Sequence, residues 1–296
     1  MLVAIAILID VLLPLYALYL AWSSRKSGRL HWLMRTIAAA GVMGFLTLVA
    51  RWDLLSAYLV YVWWGLVALA ALLGLLAMRD RRWIETERPR ALLWTALDPI
   101  IGVALFGYAA TGLLHSEAVD LSPPLSGGTF MVVQGGNNPL VNYHNTYAPQ
   151  RFAIDIVALD EFGRRADGIQ PAELDDYVIH GMPVVSPCAG EIVELVDGLP
   201  ESAIGATDAD NPAGNHVVLR CAGIDITLAH MRPGSLQVAI GEVVAAGQPL
   251  GEAGNSGNTT EPHLHIHAVP QGEPDGEGVP VTFDGRFAVR NMTFGG

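Results

Sequence analysis

Three histidines at alternate positions, His263, His265 and His267 in the run PHLHIHAV, follow the glycine-rich stretch GEAGNSGNTTE. On a β-strand, side chains two apart share a face about 6.6–7 Å from one another. Three imidazoles therefore stand together while Leu264 and Ile266 turn toward a core. Neutral imidazole is the commonest nitrogen ligand for zinc, and a row of them is costly unless something organises it. A solvated His-rich edge strand is the plainer alternative. A hydrolytic zinc centre needs three protein ligands and one open position. Further donors after residue 114 are His115, His144, Asp155, His180, His216 and His230. Asp155 interrupts the apolar run FAIDIV, facing away from Phe152, Ile154 and Ile156 if that run is a strand. A carboxylate placed there needs a partner, and a metal is a good one. His230 ends the run DITLAHM in line with Ile226 and Leu228. It is either a hydrogen-bonded core histidine or, beside a metal strand, an acid, base or oxyanion donor.

The elements that must position these residues are short and β-rich. MVVQ, FAIDIVAL, MPVVSP, GEIVELV, NHVVLR, DITLAHM, EVVAA and HLHIHAV alternate with turn residues. Such spacing suggests an antiparallel sandwich or barrel-like sheet. Two acidic stretches, 157–176 and 199–214, break the pattern and read as long surface loops. The run 251–257 reads as a tight turn that lets a peptide approach; the lysine and following helix of a phosphate loop are missing. Cys188 and Cys221 are the only cysteines. Outside the cytoplasm such a pair reads as a disulfide, with two buried thiols as the alternative.

The first third of the chain is of another kind. Residues about 1–22, 33–50, 54–78 and 91–114 are mostly apolar, each near the ~20 residues that cross a bilayer. All seven Trp precede residue 95, most of them near span ends, as in an aromatic belt. A cleaved signal peptide accounts only for the first segment. Residues 23–35 carry Arg25, Lys26, Arg29 and Arg35 with no acid, and residues 79–90 carry five arginines against three acids. Positive loops stay cytoplasmic, so everything after residue 114 is expected outside. The charge agrees: of 17 Lys+Arg only seven follow residue 114, against 23 of 29 Asp+Glu. An acidic, Lys-free outer part fits an exported module and argues against nucleic-acid binding. Asp10 and Asp98 lie inside apolar spans, but too near their ends to make the helices read as more than an anchor.

The segments GMPVVSPCAGEIVELVDG, GNHVVLR and ITLAHMRPGSLQVAIGEVVAAGQPLGEAGNSGNTTEPHLHIHAV resemble the lysostaphin/LytM-type zinc metallopeptidases over roughly residues 129–270. The resemblance implies an antiparallel β fold, one Zn2+ per chain, and cleavage of peptide bonds in peptidoglycan stems or cross-links by zinc-activated water. It makes His265 and Asp155 zinc ligands and matches His230 and His263 to the two non-ligand catalytic histidines. The family's usual first motif, His-x-x-x-Asp, needs histidine at 151, where this chain has Arg151. A subset of the family is similar to the arrangement here, with an upstream segment corresponding to Asn142-Tyr143-His144, so His144 is expected as the third ligand. His267 stands where the family more typically has glutamate and is expected to support a ligand. Arg151 is expected to meet a substrate carboxylate, and Glu261 is the weaker alternative as a base. The expected architecture is a four-helix transmembrane region over 1–114, a linker over 115–128 and an extracytoplasmic mainly-β metallopeptidase domain over 129–296. The expected protein is a membrane-anchored endopeptidase on the periplasmic or cell-wall side, its helices open to a membrane partner or activator. The alternative is an inactive wall- or partner-binding module on the same anchor.

Overall fold

A computed structural model of the protein describes residues 2–23, 28–84 and 89–295. Arg25, Lys26 and Arg88 of the two basic loops lie outside the described residues. Contacts divide the chain into two units, Met1–Thr111 and Gly112–Gly296.

The first unit holds helices α1 (Leu2–Ser23), α2 (Arg29–Val49), α3 (Leu59–Ala77) and α4 (Pro89–Ala110). All four are long and apolar enough to cross a membrane. The third begins later than its apolar run because Trp52–Leu54 form a separate 3₁₀ turn, where Arg51 pairs with the buried Asp53 at 2.7 Å. Helices α2 and α4 approach closely at glycines: a Cβ on Gly41 would stand 2.5 Å from the Gly102 carbonyl carbon. Small residues at such crossings let apolar helices pack backbone to backbone.

The second unit is mainly β. Its strands are β1 (Val119–Leu121), β2 (Thr129–Gln134), β3 (Ile154–Leu159), β4 (Pro183–Val185), β5 (Gly190–Val196), β6 (Asn215–Cys221) and β7 (Ile224–Met231). There follow β8 (Val243–Val244), β9 (Pro249–Glu252), β10 (Leu264–Pro270), β11 (Val281–Phe283), β12 (Arg286–Phe287) and β13 (Thr293–Gly295). Eight of them form one antiparallel sheet in the order β13-β2-β3-β10-β7-β6-β5-β8. The sheet is open, β13 and β8 being its two ends, so the barrel-like alternative gives way to an open sheet with smaller sheets packed on it. One core joins Ile156, Leu219, Ile226 and Ile266 of the large sheet to Val184 of β4, Leu250 of β9 and Phe283 of β11. Residues 115–128, read from sequence as a linker, contribute strand β1 in parallel pairing with β11 and bury Leu121 and Leu125.

Cys188, in the loop before β5, is bonded to Cys221 at the end of β6. The bridge closes a loop with a sequence separation of 33 residues. Replacing both cysteines by serine is expected to lower stability by about 2–5 kcal/mol. Thermal unfolding with and without reductant checks this: reductant should lower the wild-type midpoint and leave the variant unchanged.

The two acidic stretches are tied down. In the second, Ser202 donates its N–H to Asn255, Gly205 to Thr260 and Asp208 to Gly257, all along the glycine-rich run. Its Glu201 also bonds His180 at 3.1 Å, and the other nitrogen of His180 meets Asp175 of the first stretch at 2.8 Å. The Glu201 hydrogen bond holds the His180 imidazole above its ordinary pKa, against the effect of burial. A histidine whose folded pKa is raised adds stability below its unfolded value of about 6.5 and loses it as pH rises through the folded value. The melting-temperature gap between wild type and His180→Gln is therefore expected to be larger at pH 6 than at pH 8. A gap that widens with pH would contradict the assignment.

Candidate metal centre

Strands β3 and β10 lie antiparallel with Asp155 directly opposite His265. Directly opposed side chains on one face have Cβ atoms about 4.5–5.5 Å apart, which lets the pairing alone bring carboxylate and imidazole together. His265 Nδ1 stands 2.9 Å from Asp155 Oδ1. On the other side of β10, His265 pairs with Ala229 of β7, a small neighbour that leaves its ring room.

His144 arrives from a short 3₁₀ turn, Tyr143–Thr146, placed by Asn142. The Asn142 side chain is fully buried; its carbonyl accepts the His144 N–H, and its amide reaches the carbonyls of Gly136, Arg151 and Ala153. One asparagine thus ties the loop into a fixed shape and delivers His144 Nε2 to 3.1 Å from Asp155 Oδ2. The Tyr143 ring packs 4.0 Å from the His144 ring, centroid to centroid. Sequence reasoning named the Asn142-Tyr143-His144 segment without seeing that Asn142 is its organising residue.

One donor atom each from His144, Asp155 and His265 lie within 4.8 Å of one another. Ligands 2.0–2.2 Å from a tetrahedral zinc sit about 3.4 Å apart, and the contacts of Asp155 with His144 and His265, 3.1 Å and 2.9 Å, are a few tenths of an ångström shorter. The far nitrogen of each histidine is also engaged: His144 Nδ1 bonds Gln150 Oε1 at 3.0 Å, and His265 Nε2 bonds His267 Nδ1 at 3.0 Å. Such outer bonds fix ring orientation and leave the inner nitrogens for the ligand role. Asp155 is buried; burial works against its charge, but His144 and His263 beside it and the bonds from His144 and His265 hold its carboxyl well below the usual range. Burial lowers His265, and it pushes His267 down to about 3, so the His267 ring is neutral. One anion among histidine nitrogens, closed off by hydrogen bonds behind them, fits a divalent zinc-like ion.

Two more imidazoles border the cluster. The strand parity of β7 would send His230 to the core side with Ile226 and Leu228. It does not go there, because the β6–β7 register shifts between Asn215 and Val217, and His230 takes a left-handed φ of 67°. Bulges next to active sites commonly re-aim a side chain in this way. The His230 ring comes to 4.8 Å from His263 and 5.7 Å from His265. His230 Nδ1 donates to the Ser256 carbonyl at 2.9 Å, and His263 Nδ1 to the Glu261 carbonyl at 2.9 Å. A carbonyl can only accept, so in the neutral rings both Nε2 atoms carry the lone pair. Burial, then the charges of His263 and His265, holds His230 well below the ordinary imidazole pKa. His263 Nε2 is buried 3.7 Å from Asp155 Oδ1, with no hydrogen-bond partner among the described residues.

Other sequence candidates stand apart from this cluster. Arg151 forms an exposed ion pair with Glu277 at 2.9 Å. His115 packs on Phe287, and His216 bonds Gly214 and Glu194. Glu261 spends its carboxylate on Arg165. The glycine-rich run serves packing: a Cβ on Gly254 would meet Arg232 N at 2.6 Å, and one on Gly257 would meet Gly214 N at 2.4 Å. A cleft of about 390 Å3 beside the cluster is lined by Val193, Glu194, His216, Thr227, His267 and Val269, among others.

The second unit is thus a mainly-β domain with two histidines and an aspartate gathered on one open sheet in a group that could hold a metal ion. Residues 175–275 match the family model described as Peptidase family M23. This stretch of the second unit is thus similar to that family, which includes the lysostaphin/LytM type. The matched residues include His230, His263 and His265; His144 and Asp155 lie before them and rest on the geometry above. Among solved structures, the catalytic domain of the prophage-encoded M23 protein EnpA from Enterococcus faecalis is 25% identical over 53% of this chain and 92% of that one, TM-score 0.31. The catalytic domain of lysostaphin from Staphylococcus simulans is 22% identical over 37% and 80%, TM-score 0.27. The SpoIIQ–SpoIIIAH pore-forming complex is 13% identical over 55% and 89%, TM-score 0.34. This chain covers 40% of lysostaphin in its solution structure. No curated protein matches the chain.

Proposed function

We propose that this protein is a membrane-anchored zinc endopeptidase that cuts peptide bonds in peptidoglycan. The observation that carries the reading is the convergence of His144, Asp155 and His265, each held from behind, beside two imidazoles whose Nε2 atoms carry the lone pair in the neutral rings. When bound there, zinc supplies a Lewis acid for the scissile carbonyl and lowers the pKa of water toward neutrality. Asp155 brings the only negative charge of the donor set, while Gln150 and His267 hold the two histidine ligands in orientation. His263 and His230, each fixed through Nδ1, use Nε2 to take a proton from the attacking water. The imidazolium so formed stabilises the developing oxyanion and returns the proton to the departing amine. The cleft beside His267 gives an extended peptide a place on the sheet surface, and the exposed Arg151 meets a substrate carboxylate by exchange with Glu277. The four helices anchor the domain on the outer side of the membrane, as the basic loops suggest. Digestion of purified peptidoglycan by the full chain in detergent tests the reading. New amino termini are expected, abolished by chelator and restored by zinc; a folded, zinc-loaded chain that releases none would contradict it.

A further inference from the structure

The acidic segment between β3 and β4 reads from sequence as a long surface loop, yet it carries a buried cation. Arg165 is 1% exposed. Its Nε lies 3.2 Å from both carboxylate oxygens of Glu261, and its Nη2 lies 2.6 Å from Oε2 and 3.0 Å from the Ile169 carbonyl. Its guanidinium carbon sits 5.6 Å from the centre of the buried Tyr177 ring. The segment closes around this pair: Ala166 bridges to Tyr177, Val178 donates to the Arg165 carbonyl, and Asp167 donates to Asp176. Glu261 is two residues before His263, separated from it by Pro262, whose ring fixes its own φ. The Glu261 carbonyl receives both His263 Nδ1 at 2.9 Å and Thr259 Oγ1 at 2.8 Å.

We propose that Arg165 is a positioning residue: through the Glu261 carboxylate it fixes the Glu261 carbonyl, which in turn sets the tautomer and aim of His263. The proposal rests on the peptidase reading above and adds a contact 96 residues long in sequence to its machinery. A buried ion pair is often no more stable than an apolar pair of similar volume, so stability alone is a poor reason for this one. What the guanidinium fork supplies is direction: it grips both carboxylate oxygens and leaves the following backbone one orientation. The same contact removes Glu261 as a free general base.

The test uses the full-length chain carrying Arg165→Met together with Glu261→Leu, which empties the pair without leaving a lone charge. Folding and zinc content are expected to match wild type, KM to stay within about twofold, and kcat to fall about 10–100-fold, the range for residues that support a catalytic group from behind. Nitrogen-15 histidine spectra should show His263 protonated at Nδ1 in wild type and as a mixture of tautomers in the variant. Wild-type kcat and an unchanged His263 spectrum in the folded double variant would overturn the proposal. If the double variant fails to fold, Arg165→Lys decides, since a lysine cannot span both oxygens. A several-fold loss of kcat with a shifted His263 signal supports the proposal, and no change in either defeats it. A wild type without turnover would refute the peptidase reading alone, because the histidine spectra still decide the positioning of His263.

Discussion

Asp155→Ala is expected to yield a folded chain that binds no zinc and has no peptidase activity above background. Asp155 is the only carboxylate in the donor group and touches both of its histidines, at 3.1 Å and 2.9 Å. Without it two imidazoles remain, which is too few for a hydrolytic site and offers no charge to a dication. The loss spans several orders of magnitude, since the water pKa returns from near 7 to about 15.7. Alanine suits the buried strand position, so the metal-free fold survives. Adding zinc at a thousandfold excess over its Kd should stabilise wild type by about 4 kcal/mol and leave the variant unmoved. A variant that still gains stability from zinc would show that Asp155 is not a ligand.

His263→Ala is expected to separate binding from turnover. The side chain borders the donor group without belonging to it, its Nε2 buried 3.7 Å from Asp155 Oδ1. Zinc content should stay at one per chain, while kcat falls about 10²–10³-fold, the typical loss when a group that stabilises the transition state is removed. KM should change little, because the ring acts on charge that develops during the reaction. His230→Ala should behave alike, as its Nδ1 is fixed by the Ser256 carbonyl in the same manner. Full turnover by His263→Ala would remove it from the mechanism.

Much of this was legible in the sequence because the signals are local. The four apolar stretches stand as helices, and the runs around Asp155 and His265 stand as neighbouring strands of one antiparallel sheet. Alternation along FAIDIV and HLHIHAV was enough to put the two side chains on the same face. What stayed hidden depends on backbone irregularity or on distant partners. Strand parity left His230 open between the core and a role beside the cluster, and no turn residue announces the bulge that turns it toward His263 and His265. Strands β1, β11, β12 and β13 are two or three residues long, too short for a periodic signal, and are held by pairing with one another or with β2. Arg165 lies in a stretch that reads as a surface loop, and nothing nearby in sequence marks its pairing with Glu261. The glycines at 254 and 257 suggested open space for a peptide, whereas they admit the backbones of 232 and 214.

His144 is the donor on which the proposed zinc site most depends, because Arg151 stands where the motif of the family it resembles would place a histidine. Metal analysis of the purified full-length chain beside His144→Ala tests it directly. One zinc per chain in wild type, lost in the variant while the fold is kept, is the predicted result. A well-folded wild type without zinc, or a variant that retains it, would contradict the site assembled from His144, Asp155 and His265.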